Sequence, residues 1–328
     1  MEKLWSILLL GALSILFAEV FSGASTLWFL DAWGLLVTYP LYLGHALFLL
    51  NLAFLWKKTS PRQLYFFGML FGLYEALITK VLWFGYPSSS GPMVGNVYGI
   101  AWGEFLTLVL FYHPMMSFIV PVFVYELLSN DVLPGHERFL QKNRYTLLLI
   151  TILIIMGASF QSNGAKYDLP RSIESMAGSI LIVALLHVLS KGKTLQSLRL
   201  GKKQLISVFI YLCVLYGVTT VVIFPERLPT MVLPYVLILL WYLVALLLLW
   251  IDTLIPASVN LKHNIFSEKD LAIIAIFVVG AIVICTLFSQ IAYTVLLVMF
   301  VLLMGAGVVL FLLSFFSLLR QKLLINRA

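Results

Sequence analysis

Eight ionisable side chains stand inside or beside the apolar spans of the first 128 residues, Glu126 near the end of the last and seven that are candidates for a site: Glu19, Asp31, His45, Glu75, Lys80, Glu104 and His113. Carboxylates and imidazoles can hold and pass protons, bind cations or activate water. At the centre of a membrane helix such a group costs roughly 2.5–3.5 kcal/mol on insertion scales, so it faces protein or water and marks a functional site by default.

Glu75 is the deepest of the carboxylates. It lies at the middle of the apolar stretch 64–86, about 15 Å from either end, too far for a short side chain to reach a headgroup. Gly68, Gly72, Glu75 and Thr79 recur at spacings of three and four, which predicts close helix packing on the Glu75 side. Lys80 follows Glu75 by five residues, a turn of about 140°, and belongs to another face. Its four-carbon stem spans the roughly 7.5 Å to Gly85, which predicts a place at the mouth of the site or snorkelling to the outer headgroups. Asp31, Thr38, Tyr42 and His45 form a second stripe, with a kink expected at Pro40. The depth of His45 matches that of Glu75, as a proton-sharing or metal-binding pair requires. Glu19 precedes SGAS, a run of small residues that can break a helix, and Glu104 completes an acidic trio in the outer half. His113 is followed by Pro114, which frees carbonyls in the preceding turn. Spans one to four are therefore expected to form an outward-facing polar chamber. The plainer alternative is a protonated Glu75 and hydrogen-bonded histidines that only hold helices together.

The elements that position these residues follow from composition. Of 328 residues, 62% are hydrophobic and 11% charged, and the mean hydropathy is +1.04. A water-soluble core is excluded, and so is a β-barrel, because the apolar runs lack a period of two. The fold class is all-α, a polytopic helical membrane protein with about ten spans, near 4–21, 35–56, 64–86, 98–128, 144–160, 172–190, 204–224, 232–251, 270–288 and 291–318. Lys and Arg gather at both termini and in the alternate loops 57–63, 129–143, 191–203 and 252–269. The exceptions are Lys80, Lys166, Arg171 and Arg227. Both termini are accordingly expected to be cytoplasmic. Segment 98–128 is long enough for a re-entrant pair, but that topology would invert every later loop, so one kinked or tilted crossing is expected. The organisation expected is a polar four-helix region over 1–128, a cytoplasmic loop over 129–143 and an apolar six-helix region over 144–328, where only Glu174 and His187 are ionisable within spans. Residues 1–25 resemble a signal peptide and are read as a retained first helix.

The net charge of +7 reflects the topological bias and not a nucleic-acid surface. KGKTLQSLRLGKKQ (191–204) is read the same way, with anionic headgroups as its other reading. Cys213 and Cys285 are isolated apolar positions, with no CxxC and no metal spacing. The bilayer is the one partner specified in a cell-membrane setting; substrate, cofactor and metal are not. The loop GYPSSSGPMVGN (85–96) reads as a solvated turn or a lid.

Three functions fit these residues. A secondary transporter would use Glu19, Glu75 and Glu104 as proton or cation sites, and EVFSGAS (19–25) loosely echoes ESMAGS (174–179), as inverted repeats would. An intramembrane enzyme would use Glu75 as base, with His45 or His113 as metal ligand or oxyanion donor. A structural or lipid-binding subunit, or as a variant a bis-histidine haem protein using His45 and His113, would use the polar stripe for assembly. Phe71-to-Glu75 and His113-to-Ser117 partly resemble the glutamate-dependent intramembrane proteases of the CAAX-processing superfamily. Those families open with paired glutamates followed by Arg or Lys and close with His followed by Asn or Asp. This chain has neither, so no catalytic role is carried over.

Overall fold

The computed structural model describes residues 2–86, 91–256 and 264–325. Residues 87–90 of the expected lid and Lys262 of the last expected cytoplasmic loop lie outside them.

The helices are α1 (Glu2–Ile15), α2 (Tyr39–Trp56), α3 (Pro61–Gly72), α4 (Tyr74–Leu77), α5 (Val81–Phe84), α6 (Trp102–Thr107), α7 (Val120–Ser129), α8 (Arg144–Gly164), α9 (Leu169–Leu189), α10 (Lys202–Val222), α11 (Leu233–Ile251), α12 (Glu268–Leu287) and α13 (Ser289–Ile325). A short hairpin pairs β1 (Asn96–Val97) with β2 (Ile100–Ala101). Among the described residues, nine helices are long and apolar enough to cross a membrane. The remaining expected span, 64–86, is no continuous helix. It breaks at Leu73 and again at Lys80, whose φ of 61° is left-handed. The three pieces still run from one end of the bundle to the other.

Three further stretches widen into π-helix: Leu16–Val20, Gly34–Thr38 and Leu108–Ile119. The last contains Pro114, which in this i−5 pattern has no N–H for the carbonyl of Val109; the Tyr65 hydroxyl donates to the neighbouring Leu110 carbonyl at 2.8 Å. In the first, the Tyr112 hydroxyl lies 3.1 Å from the Ala18 carbonyl and 3.2 Å from that of Phe17. Residues 102–129 form one irregular crossing, as charge placement predicts. Pro40 lies within the continuous helical run Gly34–Trp56, directly after its π-turn, where the missing N–H removes one helical bond.

Polar clamps show which loops share an end. Lys3 donates to the Arg199 carbonyl, Asn51 to that of Leu198, His136 Nε2 to that of Thr59 and Lys142 N–H to that of Asn264. Arg62 grips Asp252 with two bonds of 2.7 and 2.9 Å and reaches Ser317 on α13. The described parts of the Lys- and Arg-rich segments therefore gather at one end, which the charge rule makes cytoplasmic. Thr26 meets Ser175, and Gly85 meets Arg227, at the opposite, outer end.

The two halves of the chain pack as one bundle: α1 lies on α2 and α9, α3 on α11 and on the 108–119 stretch, and α10 on α2. Burial is uneven. In the apolar stretch of Trp102–Ser129, 78% of the residues are buried within the protein, against 11% for Lys202–Val222 and 17% for Glu268–Leu287. The N-terminal spans form the interior and the later helices turn most of their surface to lipid. An ionisable group is affordable only in the former.

Candidate functional site

Close approach of two backbones creates the site. A Cβ on Gly68 would stand 2.4 Å from Pro114 Cα, and one on Gly72 would stand 3.0 Å from Val109 Cα. Only glycine lets α3 lie this tightly on the 108–119 stretch, and the next residue of the stripe, Glu75, thereby meets His113. Glu75 Oε1 lies 2.9 Å from His113 Nε2, with both side chains buried. His113 Nδ1 is 2.8 Å from Ser117 Oγ, and Glu75 Oε2 accepts from the Thr79 hydroxyl. The imidazole thus stands between a carboxylate and a hydroxyl, and a proton gained at one ring nitrogen can be given up at the other.

A second carboxylate is bonded to a pair of phenols beside this one. The Tyr42 hydroxyl donates to Glu19 Oε1 at 2.6 Å and accepts from the Tyr74 hydroxyl at 2.7 Å, and Tyr74 is the chain neighbour of Glu75. Glu19 Oε2 accepts from Ser25 at 2.7 Å. Glu19, Ser22 and Ser25 are half-buried at the outer end, whereas Tyr42, Tyr74, Glu75, His113 and Ser117 are buried. Exchangeable protons therefore lie in two adjoining groups, Ser25–Glu19–Tyr42–Tyr74 from the partly open rim and Glu75–His113–Ser117 in the interior. Ser14 fastens the inner end of the latter by donating to the Ser117 carbonyl at 2.7 Å.

Not every residue expected in the site joins it. His45 does not pair with Glu75: its Nδ1 donates to the Leu41 carbonyl at 2.8 Å, so Nε2 accepts from Tyr216 at 3.1 Å. The Phe71 ring stands between the two imidazoles, its centroid 4.9 Å from that of His45 and 5.8 Å from that of His113, and occupies the space a bis-histidine haem would need. Asp31 is exposed and caps the next turn by accepting from Gly34 N–H at 3.0 Å. Lys80 does not snorkel. It is fully buried, and its ammonium donates to the Thr219 carbonyl at 2.8 Å and to that of Ile223, the negative end of α10. Glu104 is buried beside the hairpin, apart from these groups, and accepts from Met93 N–H. Among the described residues no three His, Cys, Asp or Glu side chains gather as metal ligands.

Fold and site together define a polytopic α-helical membrane protein whose interior carries a buried acid–imidazole–phenol network. The chain belongs to the family described as "Uncharacterized membrane protein family", whose model matches residues 8–327. It is also similar to an Archaeoglobus fulgidus protein described as "Uncharacterized protein", with 40% identity over 156 residues, 44% of this chain and 47% of that one. The chain thus spans about half the length of that relative. No solved structure matches it.

Proposed function

We propose that the protein is a proton-coupled secondary transporter of the cell membrane, in which Glu19 and Glu75 bind the coupling proton. The observation that carries this reading is the pair of bonded groups Glu19–Tyr42–Tyr74 and Glu75–His113, which adjoin at the neighbouring residues Tyr74 and Glu75. Its residues sit on or beside helix discontinuities, where transporters place their ion sites because an irregular helix can rearrange around a bound ion. A proton arriving at the Glu19 rim relieves one buried negative charge, and the phenols and imidazole redistribute it toward Glu75. Each transfer needs only rotation of a hydroxyl or a change of imidazole tautomer. Protonation of Glu75 weakens its charge-assisted bond to His113 and so loosens α4 from the 108–119 stretch.

The test is solute-dependent proton movement in proteoliposomes loaded with a pH-sensitive dye and challenged with panels of amino acids, sugars, organic acids and amines. Proton flux should appear with at least one class and vanish in Glu19→Gln and Glu75→Gln. Flux that is absent with every class, or unchanged in both variants, contradicts the proposal.

One observation favours a second reading, intramembrane hydrolysis. Glu75, His113 and Ser117 form a carboxylate–imidazole–hydroxyl series with contacts of 2.9 and 2.8 Å. Ser117→Ala separates the two, since it abolishes turnover if the hydroxyl is a nucleophile and leaves most proton flux if the chain is a transporter.

A further inference from the structure

Glu104 opens α6 at the outer end and is fully buried beneath the 91–97 segment. Met93 N–H donates to its Oε1 at 2.8 Å, and Val94 lies over Gly103, where a Cβ would come within 2.7 Å of Val94 Cγ2. Oε2, also buried, has no hydrogen-bond partner among the described residues. Neither has Oγ1 of Thr107, which is 2% exposed and three residues further along the same helix. A spacing of three puts the two side chains on one face with Cβ atoms about 5–6 Å apart, a gap that one small ion can bridge.

The charge around Glu104 is also uncompensated. Of the other buried carboxylates, Glu75 meets His113, Glu126 meets His136 at 2.7 Å and Asp252 meets Arg62 at 2.7 Å. Among the described residues no Lys, Arg or His forms an ion pair with Glu104. A buried carboxylate without a counter-charge is costly, and a buried hydroxyl without a partner adds to that cost. Both are relieved by one group that is positive and accepts lone pairs from two oxygens.

We infer that Glu104 Oε2 and Thr107 Oγ1 bind a small monovalent metal cation of the sodium class, under the 91–97 segment. Carboxylate and hydroxyl oxygens are hard donors that suit such an ion. A single carboxylate balances a single charge, and the described residues offer no additional acids for a divalent site.

Equilibrium binding of radioactive sodium to the full chain in lipid nanodiscs, in choline buffer, tests this without requiring any transport. Wild-type protein should bind sodium saturably, less tightly as pH falls and protons compete for the carboxylate. Glu104→Gln should abolish binding, Thr107→Val should weaken it about tenfold for the loss of one ligand, and Glu174→Gln, exposed on α9, should change nothing. If Glu104→Gln does not fold, Thr107→Val decides. Absence of saturable binding in the wild type, or binding unchanged in both site variants, overturns the inference. A thermal stability that follows pH but ignores sodium overturns it in favour of a proton on Glu104. Proton flux without sodium binding leaves the transport proposal standing, and sodium binding without proton flux leaves this one.

Discussion

Tyr74 donates to the Tyr42 hydroxyl, which in turn donates to Glu19, and it precedes Glu75 in the chain, so its single oxygen lies where the two acidic groups adjoin. Tyr74→Phe removes that oxygen and keeps the ring that packs against Phe71 and His113. It should cost only about 1 kcal/mol of stability while cutting proton-coupled activity at least as far as Glu19→Gln does, as flux assays and thermal unfolding in parallel will show. Glu75→Gln keeps the size of the side chain and a hydrogen bond to His113, so the fold should survive and the pH dependence of activity should be lost. Gly72→Leu should instead fail to give folded protein by gel filtration, because its first side-chain carbon already meets Val109 Cα. A near-normal activity for Glu75→Gln beside collapse of Gly72→Leu would reduce Glu75 to a packing residue. Glu19, Glu75 and His113 are legible in the sequence because an ionisable group in an apolar run is conspicuous. Tyr74 is not, since one phenol among 15 tyrosines has no such contrast. The match in depth between His45 and Glu75 misleads because depth fixes only one coordinate; the intervening Phe71 decides which imidazole the carboxylate meets.

The glycine stripe on α3 and Pro114 on its partner stretch are readable from spacing alone, and the two do pack together. Tyr65 ties α3 to this stretch beside the proline. Tyr65→Phe should remove the bond to the Leu110 carbonyl at a cost of roughly 0.5–1.5 kcal/mol, seen as a lower unfolding temperature, whereas the same change at Tyr145, largely exposed on α8, should be silent. The break between α3, α4 and α5 is not readable in the same way. No Gly or Pro occurs from Leu73 to Phe84, so hydropathy and propensity both continue the helix. The interruption depends on tertiary contacts: Lys80 leaves its own helix in a left-handed conformation and places its charge on the carbonyl end of α10, 139 residues away in the chain. A lysine expected to reach for headgroups finds carbonyls closer.

At the scale of the whole molecule, the bare C-terminal spans and the polar N-terminal ones are a single arrangement, with a buried irregular interior and a regular apolar surround. The alternation of Lys and Arg predicts which loops lie together, and the clamps of Arg62, Asn51 and Lys142 bring the described parts of those loops to one end. In a background lacking Cys213 and Cys285, single cysteines at Ser129 or Thr194 should resist an impermeant thiol reagent applied from outside. Labelling at either would invert the topology and place the Glu19 rim on the cytoplasmic side. The central claim is that Glu75 takes and releases a proton through the groups that adjoin it. Infrared titration of the full protein in lipid nanodiscs reads that proton directly, through the carboxyl C=O stretch. The account predicts a titrating carboxyl band that is missing in Glu75→Gln and displaced in Tyr74→Phe. A spectrum in which the titrating bands of wild type and Glu75→Gln coincide would contradict it.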